Sequence, residues 1–90
     1  MIEIEFKSND DVYIFEEIDL KPNTIRKYVR GDNRFIILDK FSRNVIKDLN
    51  IRIVNAKTHK SFTRQVKHVY IWNAGEPDNL DLFFIISWRS

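Results

Sequence analysis

The apolar positions of the chain fall into short runs with two different periods. Ile2, Ile4 and Phe6 alternate with Glu3, Glu5 and Lys7, which predicts a strand with one buried and one charged face. Ser8-Asn9-Asp10-Asp11 has the composition of a turn. Val12 to Ile18, with Val12, Ile14 and Ile18 on one face, is expected to return as a second strand and pair with the first as a hairpin. Pro22 suits the first turn of a helix, and Ile25, Tyr28 and Val29 follow as one stripe at helical spacing before Gly31. A helix is therefore predicted over 22–30. Arg34 to Asp39 has the apolar run of an internal strand. Ser42 could cap a second short helix through Leu49, with Val45, Ile46 and Leu49 as its buried stripe. Ile51 to Asn55 alternates again, and 56–61 is a polar, basic loop or strand extension.

The strongest pattern lies in the C-terminal third. Phe62 to Trp72 and Leu80 to Trp88 flank a segment of Asn, Gly, Pro and Asp, the signature of a hairpin with a long loop. Leu82, Phe83, Phe84, Ile85 and Ile86 are apolar without a break. A strand wet on one side would alternate, so this one belongs inside a sheet with cover on both faces. Together these elements predict a single α+β domain over 1–90. Its sheet should be largely antiparallel, about five to six strands, with one or two short helices.

Composition narrows the class. A chain of 90 residues is one domain with little core to spare. Thirteen Ile, seven Phe, three Tyr and two Trp supply the burial that a disulfide would otherwise replace. The absence of Cys excludes disulfides and thiolate zinc sites. The N-terminus lacks the basic start and apolar core of a signal peptide. The longest apolar run, 82–86, is far below the roughly 20 residues that span a bilayer. A cytoplasmic protein without membrane contact is expected. With two Gly in total, a backbone cradle for a nucleotide is not expected, and no cofactor is called for.

Charge is where candidate chemistry enters. Residues 1–20 hold one Lys against seven acids, whereas 21–72 hold thirteen Lys and Arg against Asp32, Asp39 and Asp48. Segregation of this kind, if kept in the fold, gives one surface a positive potential that attracts an acidic protein surface or nucleic acid. Arg52, Lys57, Lys60, Arg64 and Lys67 are the candidate contacts, with His68 and Tyr70. In the run 62–72 one parity reads Phe62, Arg64, Val66, His68, Tyr70 and Trp72. Rings beside cations on one sheet face can stack and track single strands, but the same parity could equally be the core face. The sequence thus suggests a small non-enzymatic binding or regulatory protein that docks through a basic surface. Its Ile, Lys, Asn and Phe bias is compatible with a phage or low-GC bacterial inhibitor. A direct RNA- or single-stranded-DNA-binding module is the alternative. A second alternative is a small ribonuclease using His59 and His68 as acid and base, with Lys57, Lys60 or Arg64 stabilising the phosphorane. Oligomeric state is left open.

Overall fold

The computed structural model describes residues 1–89. Among them the chain forms eight elements. In order these are β1 (Ile2–Ser8), α1 (Asp10–Glu17), β2 (Asn23–Lys27), α2 (Asn33–Ser42), β3 (Leu49–Asn55), β4 (Ser61–Gln65), β5 (His68–Asn73) and β6 (Leu82–Ser87). The α+β class is as expected. The strands divide into two three-stranded sheets rather than one: β1-β3-β4 and β2-β6-β5. All pairs are antiparallel except β1 with β3. No helix among the described residues is long and apolar enough to cross a membrane.

The two ends of the chain follow the sequence pattern and the middle inverts it. Residues 12–17 are helical, not a strand, and Ile18 is the C-cap. Tyr13 and Glu16, one turn apart, are the buried side chains of α1, so the apolar residues Ile14 and Phe15 are left exposed. Asp10 and Asp11 occupy the first turn, where acids complement the helix dipole. The predicted N-terminal hairpin is therefore absent, and β1 pairs in parallel with β3, Ile4 opposite Ile51 and Phe6 opposite Ile53. The predicted helix over 22–30 is instead β2. Thr24 is its buried residue, and the stripe Ile25, Tyr28 and Val29 is exposed.

The strand expected over 34–39 is α2. Asp32 caps it by accepting from the Arg34 N–H at 3.0 Å, and Phe35 and Leu38 face inward one turn apart. The carboxylate also accepts from the Arg34 guanidinium at 2.6 Å. That hydrogen bond is the main reason the Asp32 carboxyl is held below its usual range. The helix expected over 42–49 does not form. Ser42 is the last residue of α2, Asn44 turns with a φ of 61°, and Leu49 already begins β3.

One core joins both sheets and both helices. Ile4, Phe6, Leu49, Ile51, Ile53 and Phe62 come from the first sheet, Phe84 and Ile86 from the second, Tyr13 from α1, and Phe35 and Leu38 from α2. Phe35 meets Phe6 and Phe84 edge-on, at 5.9 and 5.0 Å between ring centroids. A fully buried side chain of this size contributes roughly 1.5–3 kcal/mol. β6 is the centre of its sheet, as its apolar run required, but only half covered. Phe84, Ile86 and then Trp88 are buried, while Phe83 and Ile85 on the other face stay half-exposed. Trp88 satisfies its indole N–H on Asp19 at 2.9 Å.

Candidate contact face on the second sheet

Strand register builds the site. On the outer face of β2-β6-β5 the residues form three rows. Asn23, Ser87 and His68 make the first, Ile25, Ile85 and Tyr70 the second, and Lys27, Phe83 and Trp72 the third. Tyr70 is 59% exposed, Trp72 57% and Ile25 53%. The His68 and Tyr70 rings stack at 6.0 Å, and Trp72 lies 5.8 Å from Phe83, tilted by 36°. Cross-strand aromatic and β-branched pairs stabilise a sheet, which holds these rings in place without burying them. The result is an apolar, aromatic platform with polar ends.

Those ends differ in charge. Beyond Trp72 the β5–β6 loop carries Glu76, Asp78 and Asp81. The loop is ordered by Asn73, whose Oδ1 accepts from the Gly75 and Asp81 N–H groups, both at 2.9 Å. Gly75 is required there, because a Cβ would collide with the Asn79 carbonyl oxygen. Lys27 reaches Asp81 at 3.6 Å. Beyond His68, at the opposite end, stands Lys67, whose N–H donates to the Ser87 carbonyl at 2.8 Å.

The other sequence-named residues are not gathered here. Arg52 lies on the outer face of the first sheet, 3.7 Å from Glu5. Arg64 packs its guanidinium over Phe62 at 4.7 Å. It donates to the Glu17 carbonyl at 2.9 Å and lies 3.6 Å from Asp19. Both arginines thus meet acids of the N-terminal segment. Lys57 and Lys60 sit in the exposed β3–β4 turn. His59 shares that turn with a φ of 65°, whereas His68 opens β5 in the other sheet. The whole of β4 separates the two imidazoles in the chain, and neither lines the cavities described below. Of these residues only His68 and Tyr70 come together; the Lys67 ammonium turns back to donate to Gln65 Oε1 of the first sheet at 3.0 Å.

The expected single strand over 62–72 explains why the face was hard to assign. The chain leaves the first sheet after Gln65 and enters the second at His68. The Val66 N–H still donates to Leu49 of β3, at 2.8 Å, while the next N–H, Lys67, already donates to β6. Phe62 and Val66 point into the core, yet His68, Tyr70 and Trp72, of the same parity, point out. Trp72, which the sequence already puts on the parity of His68 and Tyr70, and Phe83, which sequence reasoning did not place in a site, complete the platform. The unbroken run of β6 was the signal for Phe83, since a second apolar face implies something that meets it.

Hollows lie elsewhere on the described residues. One, about 340 Å³, lies where β1, α1 and β2 meet and is polar. A second, about 290 Å³, is lined by Tyr28, Phe35, Ile36, Ile71, Leu82 and Phe84 with Asp39. A third, about 140 Å³, lies between α1 and the β3–β4 turn. Among the described residues no group of His, Asp and Glu is arranged to hold a metal ion. Comparison with protein-family models, curated proteins and solved structures finds no match to this chain.

Proposed function

We propose that this chain is a non-enzymatic binding domain that docks on a partner protein through the outer face of the second sheet. The observation that carries this is the exposure of Tyr70 and Trp72 in register with Phe83, Ile85 and Ile25. Single exposed apolar residues are ordinary, but a contiguous aromatic patch is characteristic of a contact surface. Trp and Tyr are the residues that most often dominate binding energy at such surfaces. Their rings present large area at small entropic cost.

Charge favours a protein over nucleic acid. Acids of the β5–β6 loop adjoin the Trp72 end, and Lys27 is already engaged by Asp81. Phosphates laid along the rings would meet those carboxylates. Arg52 and Arg64, the strongest candidates for phosphate contact, have acidic neighbours of their own. One observation favours nucleic acid as the second possibility. The ladder from His68 through Tyr70, with Trp72 beside Phe83, has the geometry on which unpaired bases stack.

Affinity capture from an extract of the source cells, with and without nuclease, separates the two. Docking on a protein requires a nuclease-resistant partner that is lost from a Tyr70→Ala/Trp72→Ala variant of native circular dichroism. Capture that nuclease abolishes transfers the face to nucleic acid. Capture that the double variant retains overturns the assignment of this face.

A further inference from the structure

The polar hollow between β1, α1 and β2 is built differently from the rest of the surface. Its lining includes Lys7, Lys21 and Arg26 but only one carboxylate, Glu16. Glu16 is fully buried, and its charge is already engaged. It accepts from the Ser8 hydroxyl at 2.6 Å and from the Lys21 ammonium at 3.3 Å. Arg26 spans the gap between the two sheets. Its guanidinium donates to the Lys7 carbonyl at 2.5 Å, to Ser8 Oγ at 2.6 Å and to Thr24 Oγ1 at 2.9 Å. A planar fork pinned at three points is fixed in orientation before any ligand arrives, and a guanidinium has five N–H donors.

Two further groups at the hollow are uncommitted. Lys7, whose carbonyl Arg26 holds while its side chain projects from the solvent-facing row of β1 at the rim, has no acid within ion-pair distance among the described residues. Asn9, which also lines the hollow, stands at the cap position of α1 yet makes no side-chain capping bond. Asp10 and Asp11 follow it in the chain but do not line the space. The cationic excess is therefore not cancelled locally. Buried charged clusters of this kind are weak sources of stability compared with apolar packing. Here burial also holds the Arg26 guanidinium below its ordinary value, a cost that a bound anion would offset.

We propose that this hollow binds a phosphate monoester, with the phosphoryl group against Lys7, Lys21 and Arg26 and the organic part against Val12 and Ile25. A dianion matches three cations facing one carboxylate. A volume of about 340 Å³ is at the small end of the range for small-molecule sites, so it has room for more than the phosphoryl group. Val12 and Ile25 give the hollow its apolar wall and are themselves exposed to solvent. The hollow shares only Ile25 with the sheet face, and Tyr70, Trp72 and Phe83 do not line it.

Inorganic phosphate and phenyl phosphate are the probes, titrated into the whole chain at constant ionic strength and followed by backbone amide NMR shifts. Saturable shifts are expected at Ser8, Asn9 and Asp10, with phenyl phosphate binding more tightly. Lys7→Ala should weaken binding by about fivefold or more, as loss of a charge-assisted contact does, and Lys60→Ala should leave it unchanged. Lys7 makes no side-chain contact that folding depends on, so its loss is read in a native protein. Equal shifts with sodium chloride would overturn the site. So would the absence of saturation at millimolar phosphate, or shifts centred on the β3–β4 turn.

Discussion

The two sheets are alike inside and opposite outside. Facing the core, Ile51 and Ile53 of the first sheet and Phe84 and Ile86 of the second are equally buried. Facing solvent, the first sheet presents Glu3, Asn50 and Gln65, then Glu5, Arg52 and Thr63, then Lys7, Val54 and Ser61. The second sheet presents Ile25, Ile85 and Tyr70, then Phe83 and Trp72 beside Lys27. A half-buried sheet needs only one apolar face, and the first sheet follows that rule. The second departs from it, and folding supplies no reason for the extra apolar rows. What differs between two such similar sheets is therefore a pointer to what one of them contacts.

The largest effects test the shared interior. Ile53→Ala and Ile86→Ala should each lower stability by about 2–5 kcal/mol, measured by urea unfolding. An Ile86→Ala cost far below that of Ile53→Ala would show that the second sheet is not part of the same cooperative core. Next come the outer faces. Tyr70→Ala with Trp72→Ala should weaken partner capture by roughly 2 kcal/mol or more, the usual threshold of an interface hot spot. The matched outer pair Arg52→Ala with Thr63→Ala should leave capture intact. Equal losses from both pairs would erase the functional contrast between the sheets.

A smaller effect concerns α2, which supplies Phe35 and Leu38 to the common core. Removing the cap with Asp32→Ala should cost about 0.5–2 kcal/mol. Because the folded Asp32 pKa is depressed, its contribution is fully present above about pH 4, the unfolded carboxyl value. It is lost as pH falls below that through the folded value. Asp32→Asn should therefore flatten stability against pH in that acid range, and an unchanged acid slope would refute the coupling to Arg34. The smallest effect belongs to the polar sheet face. Arg52→Ala should change stability by less than about 1 kcal/mol and less still in high salt, read from thermal melts. A larger loss would mean that this face also has a structural partner.

The same contrast shows which residues could be interpreted without coordinates. β1, β3 and β6 are legible because their apolar positions are the buried or central ones, Ile4 and Phe6, Ile51 and Ile53, Phe84 and Ile86. The stretch 12–30 misleads because several of its buried positions are not its most apolar ones, and 34–39 because its short apolar run, Phe35 and Leu38 included, suits a helix face as well as a strand. α1 buries Glu16, held by Ser8 and Lys21, and β2 buries Thr24, while Ile14, Phe15 and Ile25 go outside. Hydropathy cannot report a carboxylate whose burial depends on a hydroxyl eight residues earlier. Local chemistry did carry the right signal in two places, the acids Asp10 and Asp11 that open α1 and the Asp32 cap of α2. Of the contact face, Tyr70 and His68 stand out in sequence as a ring and an imidazole of one parity. Trp72 shares that parity, and Phe83 becomes part of the face only through its register with Trp72. The cations could not be placed from sequence, since Arg52 and Arg64 meet Glu5 and Asp19, far away in the chain.

Pairing order has a consequence for how the molecule comes into being on the ribosome. β1 waits for β3, and β2 waits for β6, the last strand of the domain and the middle of its sheet. Contacts between such distant segments are slow to close. Until Thr24 finds Ile86, the core side chains that the second sheet contributes, Phe84 and Ile86, have no cover from β2. The interior of this domain therefore closes late, when its most distant segments meet.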